Sequence, residues 1–304
     1  MKFHLTIKSI FLILVVLNQV DAQTTTANRD YLNNKMFWFQ GVIVGKISPK
    51  WTYHLDLEYR RQADPEYGYK KGDNVGTDQS AIFKNPYQYA IRPFIHYQPN
   101  EHIRFSLSPL TWFGSYTFPV NGRTYYTPEF RWSPQVTFYK NFGRVQIHQR
   151  YRLEFRYFGK KTEDTNLPDP TGPSSSYEFT DQGRHTRLRI LVRAVIPLNS
   201  MKVEKGTHYI MTSEELMFKF GKYVDNANFF DQSRFYLVYG YKFHPEMRFE
   251  IGYLNQIAFR LNNGYGQLPG NNIDLNNNLF VSYIIDDFTS FFKKEKIEEL
   301  PATK

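Results

Sequence analysis

Trp51-Thr52-Tyr53-His54-Leu55-Asp56-Leu57-Glu58-Tyr59-Arg60-Arg61 alternates almost without a break. Trp51, Tyr53, Leu55, Leu57 and Tyr59 share one parity, and His54, Asp56, Glu58 and Arg60 share the other. Successive side chains of a strand point to opposite faces, so this is one long strand with an aromatic-aliphatic face and a charged face. The pattern recurs along the chain and predicts strands at 35–47, 51–62, 86–98, 102–116, 126–140, 144–158, 184–197, 203–219, 231–243, 247–260 and 273–285. Globular strands usually run about 5–6 residues, whereas a tilted strand that crosses a bilayer needs about 9–11. The predicted strands reach the second length.

The connections alternate as well. Short turns fall at Ser48-Pro49-Lys50, Pro99-Asn100-Glu101, Lys140-Asn141-Phe142-Gly143 and His244-Pro245-Glu246, with a less sharply bounded link from Pro197 to Lys202. Between them lie 63–85, 117–125, 159–183, 220–230 and 261–272, rich in Gly, Pro, Asn, Asp and Ser. Membrane barrels have short turns at one rim and long loops at the other. The predicted fold is therefore all-β, a transmembrane antiparallel up-and-down β-barrel of about 12 strands, with about 10 as the fallback. Eleven readable strands make an odd number, so either the polar leader 23–34 holds a weak twelfth strand or it threads the lumen. In the last strand Leu279, Val281 and Tyr283 keep the alternation, but Phe288 is off parity.

The first 22 residues have the layout of a secretory signal, with Lys2 and Lys8 before the apolar run Ile10 to Leu17 and Val20-Asp21-Ala22 as the cleavage site. The expected division is 1–22 signal peptide, 23–34 leader, 35–288 barrel and 289–304 a charged, solvated tail. With no cysteine, neither a disulfide framework nor a lipid-anchoring thiol is available. Mean hydropathy of −0.54 suits a barrel, whose strands show lipid only at every second residue. An aromatic content of 18 % supports a barrel over a soluble sandwich, because Tyr and Trp favour the membrane-water boundaries. The formal net charge of +9 could suit nucleic acid, but an exported chain does not meet it, so the expected surroundings are outer-membrane lipid and small anions. Protein partners are not legible.

If the apolar parity faces lipid, the other lines the lumen. That face holds Arg60, Arg92, Arg104, Arg131, Arg150, Arg152, Arg156, Arg187, Arg189, Arg193, Arg234 and Arg248, with Lys242. Its acids are fewer: Asp56, Glu58, Glu154, Glu250 and one of Glu214 or Glu215. An arginine facing lipid near the midplane costs about 2–4 kcal/mol, which forces so many of them inward. Two readings follow: a narrow passive channel that concentrates anions, or a structural or accessory barrel plugged by pairing between Arg and Glu. A membrane-lipid enzyme is a distant third.

Arg150-Tyr151-Arg152-Leu153-Glu154-Phe155-Arg156, Arg187-Leu188-Arg189 with Pro197-Leu198, Asp231-Gln232-Ser233-Arg234 and Glu250-Ile251-Gly252-Tyr253-Leu254-Asn255-Gln256 together resemble an uncharacterised family of outer-membrane barrels, domain of unknown function 2490. The resemblance runs from about Trp38 to Tyr283. It implies a barrel in a Gram-negative outer membrane and implies no reaction, cofactor or site residue.

Other motifs carry less. His148 with Ser106 or Ser108 suggests an activated nucleophile, but by parity His148 points inward, away from membrane lipid. His185 near Asp181 and Ser174 to Ser176 could serve an outer-leaflet acyltransferase. Asp73, Asn74 and Asp78 offer hard oxygen ligands without the spacing of a calcium loop. Gly264 and Gly266 beside Asn262 and Asn263 are turn formers. The sequence assigns no catalytic, cofactor-binding or metal-ligating residue, and no cofactor is expected.

Overall fold

Long runs of alternating aromatic or β-branched and polar residues, punctuated by Gly, Pro and Asn, give the chain no alternative to extended structure. A computed structural model describes residues 30–64, 80–116, 126–161, 177–179, 184–222, 224, 229–259 and 272–292. The signal segment, leader residues 23–29, the tail from 293, and Asp73, Asn74, Asp78, Ser174 to Ser176, Asp181, Gly264 and Gly266 lie outside the described residues.

The strands are β1 (Asp30–Lys46), β2 (Trp51–Gln62), β3 (Asn85–Asn100), β4 (Ile103–Tyr116), β5 (Tyr126–Phe142), β6 (Val145–Phe158), β7 (Lys160–Lys161), β8 (Tyr177–Glu178), β9 (Arg184–Pro197), β10 (Thr207–Phe220), β11 (Phe230–His244), β12 (Met247–Phe259) and β13 (Asn272–Ile285). β7 and β8 form a small hairpin of their own, and the other eleven close into one barrel. Sequential neighbours pair antiparallel, and β6 pairs with β9 across the excursion that contains the small hairpin. Four connections at one rim are short (47–50, 101–102, 143–144 and 245–246) and the fifth, 198–206, has nine residues, while those at the other, 63–84, 117–125, 159–183, 221–229 and 260–271, have nine or more. Gly143 makes the β5–β6 turn at φ 57, a left-handed conformation that glycine adopts without steric cost.

The odd strand count is resolved at the seam. β1 and β13 both start at the rim of the long connections, and they pair in parallel from Asp30↔Asn272 to Ile43↔Ile285. Asp30 to Asn34, read from sequence as leader, are the beginning of β1. Among the described residues no twelfth strand joins the barrel. Past β13, Phe288 opens a 3-10 helix, Phe288–Phe292, that caps the seam: Lys46 Nζ lies 2.7 Å from Asp287, and the Lys46 amide donates to Thr289 Oγ1 at 3.2 Å.

Outward positions are apolar and exposed, among them Leu57, Tyr59, Ile91, Phe105, Trp132, Leu237, Ile251 and Leu279. The interior combines charge with a smaller apolar cluster of Trp38, Val195, Tyr209, Met211, Val238, Leu254 and Phe280. Tyr209 stands directly opposite Gly240, where any Cβ would come within 2.1 Å of its ring. The glycine lets the tyrosine lie across the neighbouring strand and hydrogen-bond Glu250 at 2.7 Å.

Candidate functional site

Strand parity carries the charged side chains into the barrel. Asp56, Glu58 and Arg60 of β2, Arg92 of β3, Arg131 of β5, Arg152, Glu154 and Arg156 of β6, Arg187 and Arg189 of β9, Arg234 of β11 and Glu250 of β12 are all buried there. Arg104, Arg150, Arg193 and Arg248 are partly exposed and line a cavity toward the short-turn rim.

The buried groups are bound in a shared network. Glu154, 1 % exposed, gathers Arg187 (2.5 Å), Arg189 (2.7 Å), Arg131 (3.3 Å) and Arg152 (3.7 Å). Arg131 and Arg156 both reach Glu129 at 2.5 Å, and Arg150 (2.5 Å) and Arg189 (2.7 Å) share Glu215. Asp231 takes Arg187 at 3.0 Å, Lys219 at 3.2 Å and Arg156 at 3.9 Å. Arg92 spans Asp56 (2.7 Å) and Glu58, and Arg60 also bonds Glu58. Arg234 forms no ion pair among the described residues; it donates to Gln232 at 3.0 Å and sits 5.0 Å from the centre of the Trp38 ring. The network thus holds ten cations, nine arginines and Lys219, of which all but Arg234 pair with six carboxylates, Asp56, Glu58, Glu129, Glu154, Glu215 and Asp231; Glu250 and Asp274 are further buried acids on the inward faces of β12 and β13. Aromatic faces carry part of the excess: Arg131 lies 3.6 Å from the centre of the Phe113 ring and Arg60 lies 3.2 Å from that of Trp38.

Two cavities lie along this interior. The larger, about 300 Å³, lies toward the short-turn rim and is lined by Arg104, Arg150, Arg152, Arg193 and Arg248 with Asp56, Glu58, Glu215, Glu250, His54, His96, His148 and Tyr139. The smaller, about 60 Å³, lies toward the long connections among Arg60, Arg92, Arg131, Arg156, Arg187, Arg189 and Arg234, with Tyr87, Gln88, Phe113, Gln232 and Gln256. No carboxylate is in that second lining. Arg92, Arg189 and Arg234 belong to both, so a guanidinium layer separates the chambers.

Sequence reasoning passed over several members. Glu129 was legible, since it lies two residues before Arg131 on one strand face. Asp231 was not: the β10–β11 register shifts between Met217 and Phe218, leaving Asp231 as an extra residue that turns inward off the parity set by Arg234. Lys219 enters from the same end of β10. Of the Glu214 and Glu215 pair, Glu215 is the one committed to the network, while Glu214 accepts a hydrogen bond from Ser233.

The histidines and serines pair differently from the sequence suggestion. Ser106 Oγ lies 2.7 Å from His96 Nδ1, whose Nε2 lies 3.1 Å from His54 Nδ1. Ser108 shares a 2.7 Å hydrogen bond with Thr111, and His148 packs edge-on to Tyr139. No hydrogen bond joins His148 to either serine among the described residues. His185 stacks on Phe158, ring centres 4.9 Å apart.

A closed β-barrel with a buried, cation-rich interior is the class that fold and site define. The family described as "Protein of unknown function (DUF2490)" matches residues 35–267, well over half of the chain, and the chain belongs to that family. No curated protein and no solved structure matches it.

Proposed function

We propose that this chain is an outer-membrane β-barrel of a Gram-negative cell, exported by its N-terminal segment, and that it acts as a narrow passive channel preferring small anions. The exposed apolar outer face supports contact with lipid, because a water-soluble monomer rarely leaves so continuous an apolar surface uncovered. One observation carries the anion preference: the two chambers meet at a layer of three arginines, Arg92, Arg189 and Arg234. Such a layer in a low-dielectric passage attracts anions and repels cations. Membrane lipid outside and small anions inside are the partners this reading requires.

Planar-bilayer recording of the purified protein tests it. The expected result is small single-channel steps and a reversal potential in a salt gradient set by the anion. A folded barrel that does not conduct favours the second reading, a closed accessory barrel supporting a surface or secretion assembly. That alternative has its own support in the carboxylates shared across the interior, above all the four arginines on Glu154. Location is tested separately, by heat-modifiable gel migration of protein recovered in the outer-membrane fraction.

A further inference from the structure

All the network cations except Arg150 are buried; the network holds ten cations and six carboxylates, and Glu250 and Asp274 add two more buried acids on the inward faces of β12 and β13. Burying charge without a counter-charge costs several kcal/mol per ion. The geometry indicates where the compensation belongs. The 60 Å³ chamber is walled by seven arginines, and no acid is in its lining. Among the described residues, the Nε atoms of Arg60, Arg92 and Arg234 are buried without a hydrogen bond, as are those of Arg104, Arg150, Arg193 and Arg248 in the wider cavity, which unlike the chamber has carboxylates in its lining. A guanidinium offers five N–H donors and no acceptor, so neighbouring arginines cannot satisfy one another. Neutral amides complete the wall: Gln88 donates to Ser115 and Gln256 to Gln232, and each NH2 has a second hydrogen to offer an oxygen.

Size narrows the ligand. A single water needs about 10–15 Å³ of cavity, so the chamber, at about 60 Å³, has room for a cluster of oxygens. The four oxygens of one tetrahedral oxyanion form such a cluster. Arginine is also the side chain suited to bidentate recognition of planar or tetrahedral oxyanions.

We propose that the chamber is a specific binding site for one small tetrahedral oxyanion, of the phosphate or sulfate class, held by the arginines at the head of the lumen. The proposal rests on the reading of the lumen as anion-accepting and adds a discrete, saturable site to it. It does not require net conduction, so the two fail separately.

The test is equilibrium binding of inorganic phosphate and of sulfate to the full chain in detergent, against chloride at matched ionic strength. One oxyanion per chain is expected. Arg234→Gln should weaken it at least tenfold, since it removes a chamber cation without stranding a carboxylate. Arg193→Gln, in the wider chamber, should leave the affinity unchanged. Glycerol phosphate separates the sources of the group: a site for the free oxyanion should bind inorganic phosphate more tightly than its ester, and equal or tighter binding of the ester would overturn assignment to a free oxyanion. The site is also overturned if neither ion binds saturably, which leaves the chamber to water, or if both variants reduce binding equally, which makes the effect a diffuse property of a basic lumen. Conduction without saturable oxyanion binding would sink this site and leave the channel reading standing. Binding by a barrel that does not conduct would do the reverse.

Discussion

Glu154 shows most clearly how one side chain can hold an interior together. Removing one partner of a buried ion pair costs about 3–5 kcal/mol, because the other charge is left in low dielectric. Here a single carboxylate serves Arg131, Arg152, Arg187 and Arg189. Glu154→Gln keeps the volume, removes the charge and replaces one of two acceptor oxygens with a donor NH2. It is expected to destabilise the barrel by at least that amount, read as a fall in the temperature at which heat-modifiable migration is lost. An unchanged temperature would mean that the arginines find other counter-charges and that the network is redundant. The residue was legible in sequence from its position two residues after Arg152 and two before Arg156, but its four partners come from β5, β6 and β9 and could not be read from any one segment.

At the level of elements, most strands were legible because each alternation runs longer than a turn and is ended by Gly, Pro or Asn. Parity failed where an extra residue enters the ladder. In β4 the partners pass from Ser108↔Ser133 to Thr111↔Arg131, so Pro109 and Leu110 both face out and the inward set changes from even to odd. β1 was misleading in another way: Met36 and Trp38 point in while Phe37 and Phe39 are on the outer side, so both faces are apolar and hydropathy gives no direction. The 3-10 helix after β13 makes a pH-dependent prediction. Burial works to raise the Asp287 carboxyl, but hydrogen bonds from Lys46 and Thr289 outweigh it and hold the group below the ordinary carboxylate range. A depressed carboxylate stabilises the folded form above its ordinary value, about 3.9, and that contribution is lost as pH falls through its lower folded value. Lys46 is largely exposed, so the pair contributes about 1 kcal/mol or less. Pepsin, active in this range, should therefore cut Phe288–Phe292 faster below the folded value than near pH 4, by about fivefold or less once its own pH dependence is removed by reference to Asp287→Asn. Asp287→Asn should be cut at the faster rate near pH 4 and converge with the parent at lower pH, and identical digestion of the two proteins throughout would remove the carboxylate from the account.

For the whole molecule, closure depends on the parallel β1–β13 seam. Parallel pairing is slightly weaker per residue than antiparallel pairing, which makes this the joint to test. The chain has no native cysteine, so Phe39→Cys with Val281→Cys, a directly paired outward couple, isolates the register. Paired Cα atoms lie within the spacing a disulfide spans. Oxidation is expected to give a fast-migrating, reducible species for this pair and none for Phe39→Cys with Ile285→Cys. The opposite outcome would mean a slipped seam, and a barrel with an extra strand between β1 and β13 would cross-link in neither variant.

The sequence by itself determined the extended structure, the alternation of short and long connections and the inward accumulation of arginine, because these are local consequences of a period-two pattern and of the cost of charge in an apolar surround. Tertiary structure alone decided the parallel seam that closes eleven strands, the inward turn of Asp231 at a bulge and the sharing of Glu154 among four arginines. It also decided that the surplus guanidinium groups converge on an acid-free chamber. The physical reason is that register, bulges and closure set which faces meet across the lumen, and no single strand contains that information.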